Sequence, residues 1–149
     1  MKFQRLVPIP LLFLVAGCMG NHVENNRIDD QINVFGVKLL SEVDYLQIDG
    51  VTATEEPCLR GYDRNFDALS VIVGYGFNKK IRRIHTRNPN TSLFGISPGM
   101  SFEEAKQKIL QAGFVASSSP FVFTASGHSI ALLVDGDKVF GLTIELADE

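Results

Sequence analysis

The chain has 149 residues, and its 14 lysine and arginine residues against 17 aspartate and glutamate residues give a formal net charge of −3. This mildly acidic balance provides no electrostatic basis for binding nucleic acid, which calls for a basic surface. Even without an N-terminal leader, the remaining roughly 130 residues fit one domain that buries its own core without disulfides or metal ions.

The N-terminal segment has the order of parts that is typical of a secretory signal. Lys2 and Arg5 form a basic region, and an apolar run follows from Leu6 to Val15. This run is interrupted by two prolines and is shorter than the about 20 apolar residues that a membrane-spanning helix needs. We therefore predict an exported protein whose leader is removed.

The residues Val15-Ala16-Gly17-Cys18 resemble the lipobox of bacterial lipoproteins. The resemblance implies signal cleavage between Gly17 and Cys18 and lipidation of Cys18, which then becomes the N-terminus. Two or three acyl chains hold a protein at a membrane, whereas a single chain binds only marginally. The alternatives are a plain cleaved signal with an incidental cysteine and a thiol buried in the core.

The residue after the cysteine bears on which membrane the anchor occupies. Met19 stands where an aspartate would retain a lipoprotein in the inner membrane of many bacteria with two membranes. The resemblance thus implies the outer membrane in such a cell, and the outer face of the cell membrane in a cell with one membrane. Residues 1–17 are then the signal peptide, residues 18–32 a flexible polar tether and residues 33–149 a single folded domain.

The second cysteine, Cys58, is the only other thiol in the sequence. If Cys18 is acylated, no intramolecular disulfide can form. Cys58 is then either buried or exposed and able to form a disulfide with a partner.

Two stretches of the folded region open with the same pattern, an apolar residue and Phe-Gly followed further on by serine and acidic residues. They begin at Val34 and Leu93, and a pair of β-rich runs follows each of them. The same order of elements at a spacing of about 60 residues predicts an internal repeat. We predict two αββ units, over about residues 33–90 and 91–149.

The first unit is the shorter one. Residues 41–48 are predicted to form a helix of barely two turns, with Val43 and Leu46 facing inward. After this helix the sequence predicts a strand that is interrupted near Pro57, and then a two-stranded hairpin.

The second unit has clearer helix signals. Ser101 and Glu104 have the spacing of a capping box, and Gly113 suits the left-handed residue that ends a helix. Apolar residues recur between them at helical spacing. Asp135-Gly136 then predicts a tight hairpin among the three strands that end the chain.

These elements predict an α+β fold of tandem αββ repeats, with helices packed on one face of a mostly antiparallel sheet. The opposite face has no predicted cover and is the natural surface for a partner. The residues Ile96, Gly99, Met100, Ser101 and Glu104 also resemble the opening motif of αββ modules in SmpA/BamE-type outer-membrane-assembly lipoproteins and β-lactamase-inhibitor-like proteins. The resemblance implies modules that bind other proteins and catalyse nothing.

No catalytic, metal-binding or cofactor motif stands out. A nucleophile needs an oriented base beside it, yet His22 falls in the tether, and His85 and His128 lie in or beside predicted strands outside any recognised motif. No histidine or cysteine pair has the spacing of metal ligands. We therefore predict no enzyme, no metal and no cofactor; the alternative is a cell-envelope enzyme with a hidden triad that uses Ser70 or one of Ser117–Ser119.

One basic run is a candidate contact patch, formed by Lys79, Lys80, Arg82, Arg83 and Arg87. Its charges either guard an exposed strand edge against aggregation or meet anionic lipid headgroups, an acidic cell-wall polymer or an acidic partner. The sequence as a whole predicts a membrane-anchored bacterial lipoprotein that binds another protein or assists envelope assembly, located at the cell membrane or outer membrane.

Overall fold

The computed structural model describes residues 28–147, and its main feature is one eight-stranded antiparallel sheet. One α-helix of several turns, α1 (Phe102–Gln111), and a short 3-10 helix (Asp67–Leu69) accompany the strands, and Ile28 and Asp29 are also helical. In chain order the strands of these residues are β1 (Ile32–Asn33), β2 (Gln47–Ile48), β3 (Val51–Thr52), β4 (Thr54–Cys58), β5 (Gly61–Phe66), β6 (Val71–Gly76), β7 (Ile81–Thr86), β8 (Ser92–Leu93), β9 (Val115–Ala116), β10 (Val122–Ala125), β11 (His128–Asp135) and β12 (Lys138–Leu146).

The sheet consists of two meanders that meet in its middle. Its strand order is β4-β5-β6-β7-β12-β11-β10-β9, so each half of the chain supplies four neighbouring strands. The two halves join where residues 83–86 of β7 pair with residues 142–145 of β12. The outer strand β4 is exposed along its length, and its Pro57 and two glutamates discourage pairing with another sheet.

One face of the sheet, the covered face, carries the hydrophobic core. Side chains alternate between the two faces of a strand, and the inward set includes the fully buried Ile84, Phe123 and Ile144. Helix α1 adds Ala105 and Ile109 to the same core, and the loop after β1 adds three more buried residues, Val34, Val37 and Leu39.

The other face of the sheet, the open face, has partly buried side chains, and no described helix or strand packs on it. Its members come from five neighbouring central strands and are Asp63, Asn65, Ile72, Arg83, His85, Ser129, Ala131, Thr143 and Glu145.

The two Phe-Gly openings adopt the same local structure. Phe35 and Gly36 have φ values of 52° and 76°, and Phe94 and Gly95 have values of 55° and 73°. Positive φ at both central residues defines a type I′ turn, which glycine adopts without strain. Strand β1, before the first turn, pairs with β8, before the second.

The prediction of an α+β fold with tandem αββ repeats is wrong. Residues 28–147 are mostly β, with α1 as the single long helix beside an eight-stranded sheet, and the two halves differ in their order of elements. Residues 41–48 form no helix: residues 41–46 are a loop, and residues 47–48 are β2. Val43 and Leu46, expected to face inward, are 52% and 60% exposed.

Long-range backbone bonds explain why residues 41–48 are not helical. A helix of two turns is marginal on its own, and here the adjoining backbone is engaged elsewhere. The Leu40 N–H donates to the Ile81 carbonyl at 2.7 Å, and the Ile81 N–H donates to the Ser41 carbonyl at 2.9 Å. Asp49 and Gly50, both with positive φ, then turn the chain from β2 into β3. That Asp-Gly pair is a hairpin signal present in the sequence.

The helix predicted in the second half is confirmed. It begins after Ser101, whose hydroxyl accepts a hydrogen bond from the Glu104 backbone N–H at 3.3 Å. Gly113, with φ of 95°, follows its end. The predicted hairpin at Asp135 also forms, since β11 pairs with β12 up to Asp135 and Lys138.

Tyr75 of β6 fastens the loop at residues 43–45 to the covered face. Its buried hydroxyl donates to the Val43 carbonyl and accepts from the Tyr45 N–H, both at 2.9 Å. Burial raises the pKa of Tyr75 to about 12, so the hydroxyl keeps its proton at neutral pH. The Tyr62 ring stacks on the Tyr75 ring at 4.8 Å between centroids.

We predict that Tyr75→Phe lowers the free energy of unfolding by about 1–3 kcal/mol, because it leaves two partly buried backbone groups without a partner. Tyr62→Phe is the matched control, since it keeps the stacked ring and should change stability by less than about 0.5 kcal/mol. Urea unfolding of both variants measures the difference. Equal stability of the two variants would contradict the role of the Tyr75 hydroxyl.

Candidate functional site

The predicted lipidation and cleavage residues, Cys18 and Gly17, lie outside the described residues. The description begins at Ile28, which packs against the core, and Ile32 is already paired with Leu93. Within residues 28–147 no helix has the length and hydropathy needed to cross a membrane.

Several chain segments meet at one end of the sheet, which we call the turn end. It holds the β4–β5 turn (Leu59–Arg60), the β6–β7 turn (77–80) and the β10–β11 turn (126–127), and β12 ends there at Leu146. These segments lie together because a run of antiparallel strands places every second turn at the same end of the sheet.

The chain also enters the domain at the turn end. Burial raises the pKa of the Asp29 carboxyl, while the nearby charges of Lys38 and His128 act to lower it. His128 begins β11 and pairs with Leu146. The Leu39 backbone hydrogen-bonds the same carboxyl, and the next residue, Leu40, is bonded to Ile81 at the start of β7, so Asp29 lies beside the turn end.

The structure divides the basic run. Lys79 and Lys80 lie in the β6–β7 turn, where the Lys80 ammonium is 3.4 Å from a Glu42 carboxylate oxygen. Arg82 lies beside them and lines two cavities at the turn end, one of about 550 Å³ and one of about 450 Å³. Arg87 follows the far end of β7, and its guanidinium stands 5.4 Å from the centroid of the Phe140 ring. The run is thus not one continuous patch.

The remaining member, Arg83, forms an ion pair on the open face. Its Nη2 lies 2.7 Å from Oδ2 of Asp63. Gly74 of β6 lies between the two residues, because it pairs with Asp63 on one side and with Arg83 on the other. A Cβ on Gly74 would stand 3.0 Å from Asp63 Oδ1 and 3.1 Å from the Arg83 Cβ. Glycine therefore leaves the space through which the two side chains reach each other. The buried Asp63 Oδ1 has no hydrogen-bond partner among the described residues.

A cavity of about 550 Å³ opens beside this ion pair. Its lining combines guanidinium groups, carboxylates and the exposed free thiol of Cys58, so the structure supports the exposed alternative for this cysteine. The members that sequence reasoning missed come from separate strands and one turn, and they are Arg60, Asp63 and Glu145. No local pattern connects them, because only the sheet order brings them together.

His85 is on the open face, and its Nδ1 lies 2.9 Å from Thr143 Oγ1. Thr143 is its direct partner in the β7–β12 register, so strand pairing by itself accounts for the contact. Burial lowers the pKa of His85, and the charges of Arg87 and Arg83 lower it further. The ring is therefore neutral at pH 7.

His128 is buried, with Nδ1 3.0 Å from the Ser126 carbonyl oxygen. Neither His85 nor His128 lines the 550 Å³ cavity. In the part of the chain that the structure describes, no cluster of three or more histidine, cysteine, aspartate or glutamate residues could hold a metal ion.

Comparison with known proteins gives no family for this chain. No family model matches it, and no curated protein or solved structure matches it either. The resemblance of residues 96–104 to the outer-membrane-assembly modules stays a prediction, and the function is argued from the residues and their geometry.

We predict that His85 makes the fold less stable in mild acid. Its folded-state pKa is lower than its ordinary value of 6.5, so the unfolded chain binds the proton more readily. The stability that the neutral ring provides is complete above pH 6.5 and is lost as the pH falls from 6.5 through the folded-state pKa.

Thermal unfolding of the wild type and His85→Gln between pH 7.5 and 5 tests this effect. The variant should lose less stability over that range, and an NMR titration of the wild type should place the His85 midpoint below 6.5. The prediction would be contradicted if the wild type and His85→Gln lost the same stability between pH 7.5 and 5 and the His85 titration had its midpoint at or above 6.5.

Proposed function

We propose that this chain is a lipid-anchored protein of the bacterial cell envelope that binds another protein through the open face and catalyses no reaction. The single observation that carries the binding part is the open face, a continuous surface of several strands without a described cover. The anchoring part is carried by the Val15 to Cys18 sequence and its resemblance to a lipobox.

The composition of the open face supports binding to a protein. Aliphatic side chains such as Ile72 and Ala131 alternate there with polar ones such as Asn65 and Ser129, and all four are partly exposed. Protein interfaces have a similar mixture, and extended apolar-containing surfaces often mark interaction sites. Gly74 and Gly141 lack side chains, and neighbouring side chains fill the space above them, Asp63 and Arg83 at Gly74 and Leu133 and Arg87 at Gly141.

The length of chain before the domain supports a lipid anchor at a short distance from it. Ten residue steps separate Cys18 from Ile28, and a fully extended chain spans at most about 3.6 Å per residue. A lipidated Cys18 would therefore keep the domain within about 36 Å of the membrane surface. Partners in the same membrane would be within its reach.

The anchor is tested by growing cells with labelled palmitate. Cys18→Ala should accumulate as an unprocessed precursor without label, because the acyl acceptor is gone. Cys58→Ala is the matched control and should incorporate label like the wild type, since its exposed thiol lies in the folded domain. Equal label in the Cys18→Ala variant and the wild type would overturn the proposal.

The partner surface is tested by affinity purification of the native lipoprotein after crosslinking. Ala131→Arg places a charge in the middle of the open face and should reduce recovery of the specific partner about tenfold or more, because an unpaired charge is costly to bury.

Gln107→Arg adds the same charge on the exposed side of α1 and should leave the recovery unchanged. Both variants should melt within a few degrees of the wild type. If the wild type, Ala131→Arg and Gln107→Arg recovered the same proteins in equal amounts, the open face would not be the binding surface.

A further inference from the structure

The turn end exposes the two most solvent-accessible large apolar side chains of residues 28–147. Leu59 is 97% exposed in the β4–β5 turn, and Phe77 is 81% exposed in the β6–β7 turn. These turns are neighbours, because Gly61 pairs directly with Gly76. Turn positions favour glycine, proline, asparagine, aspartate and serine. A leucine and a phenylalanine standing side by side at such positions therefore have no explanation in the turns themselves.

Basic residues are close to these two residues in the sequence. Lys79 and Lys80 share the turn with Phe77, and Arg60 follows Leu59. A second cavity, of about 450 Å³, is lined by residues of both turns together with the end of β12, so these segments form one surface. Exposed apolar side chains accompanied by lysine and arginine are typical of surfaces that lie in the interface of an anionic membrane.

The position of the chain entry agrees with such a surface. Asp29 lies beside the turn end, and residues 18–27 precede the described part of the chain. This stretch spans at most about 36 Å. If Cys18 is acylated, as the proposed function requires, a tether of this length allows the turn end to reach the bilayer.

Charge by itself would be a weak attraction here. Glu42 partly neutralises Lys80, and two further acidic residues, Asp148 and Glu149, follow Ala147 in the sequence. Burial of Phe77 and Leu59 does not depend on these charges. Apolar insertion must therefore provide the larger share of the binding, and the lysines the preference for anionic lipid.

We propose that the turn end docks on an anionic lipid bilayer, with Phe77 and Leu59 inserted at the level of the headgroups and Lys79 and Lys80 beside the lipid phosphates. In this arrangement the strands stand away from the membrane. The open face then points sideways and stays accessible to a partner.

The test uses residues 18–149 with Cys18→Ser, so that binding does not depend on the acyl chains. Binding is measured by sedimentation with vesicles of phosphatidylcholine alone and with vesicles that also contain phosphatidylglycerol. The wild-type surface should bind the anionic vesicles more tightly, and added salt should weaken that binding because exposed charges are screened over about 10 Å at 0.1 M.

Two double variants separate the apolar and the charged contribution. Leu59→Ser with Phe77→Ser should weaken binding to anionic vesicles about tenfold or more at every salt concentration. Lys79→Gln with Lys80→Gln should weaken it several-fold at low salt and little at high salt. Leu110→Ser with Val115→Ser is the matched control, because it removes two exposed apolar side chains from α1 and from β9, the edge strand opposite β4, and should leave binding unchanged.

A spectroscopic probe gives an independent measurement, since the sequence contains no tryptophan. Phe77→Trp should show a blue-shifted emission with anionic vesicles and quenching by brominated lipid, whereas Val115→Trp should show neither. Absence of vesicle binding would overturn the docking proposal. Unchanged indole emission from the Phe77→Trp variant, together with full binding by the Leu59 and Phe77 double variant, would overturn it as well.

These outcomes are separate from those of the proposed function. Failure to bind vesicles would leave palmitate labelling of Cys18 and partner recovery through the open face untouched. Loss of a co-purified protein from the Leu59 and Phe77 double variant, without vesicle binding by the wild type, would show that the turn end contacts a protein and would also overturn membrane docking.

Discussion

The pairing of β7 with β12 is the constraint on which the other features of this structure depend. Only residues 83–86 and 142–145 connect the two four-stranded meanders. Without this contact, each meander would expose an unpaired strand edge and half of an apolar face to water. With it, Ile84 and Ile144 meet on the covered face, and the core continues across both halves of the chain.

The same pairing creates both surfaces that carry the functional proposals. On the open face it sets His85 against Thr143 and Arg83 against Glu145, so polar side chains from distant parts of the chain become neighbours. At the turn end it brings the β6–β7 turn next to the end of β12. The proposed partner surface and the proposed membrane-facing end thus lie on different sides of one sheet, which would let both be used at once.

The covered face depends on hydrogen bonds that hold the loop around residues 40–45 against the strands of the sheet. Tyr75 hydrogen-bonds the backbone of the loop at 43–45, and the backbone of Leu40 and Ser41 adds two bonds to Ile81. Together these bonds satisfy polar groups that would otherwise be buried without partners, which is a strict requirement for any loop that covers a core. They also explain why a short segment with helical periodicity remains extended.

The sequence by itself determined the features whose causes lie within a few residues of each other. Ser101, Glu104 and Gly113 were enough to locate α1, and the Asp-Gly pair at 135–136 was enough for its hairpin, because caps and tight turns are local interactions. The strand order, the loop at 41–46, the division of the basic run and the cavity beside Asp63 were decided only by the tertiary structure. Each of them requires strand pairing between residues far apart in the chain, and β structure derives its stability from such neighbours more than from intrinsic preference.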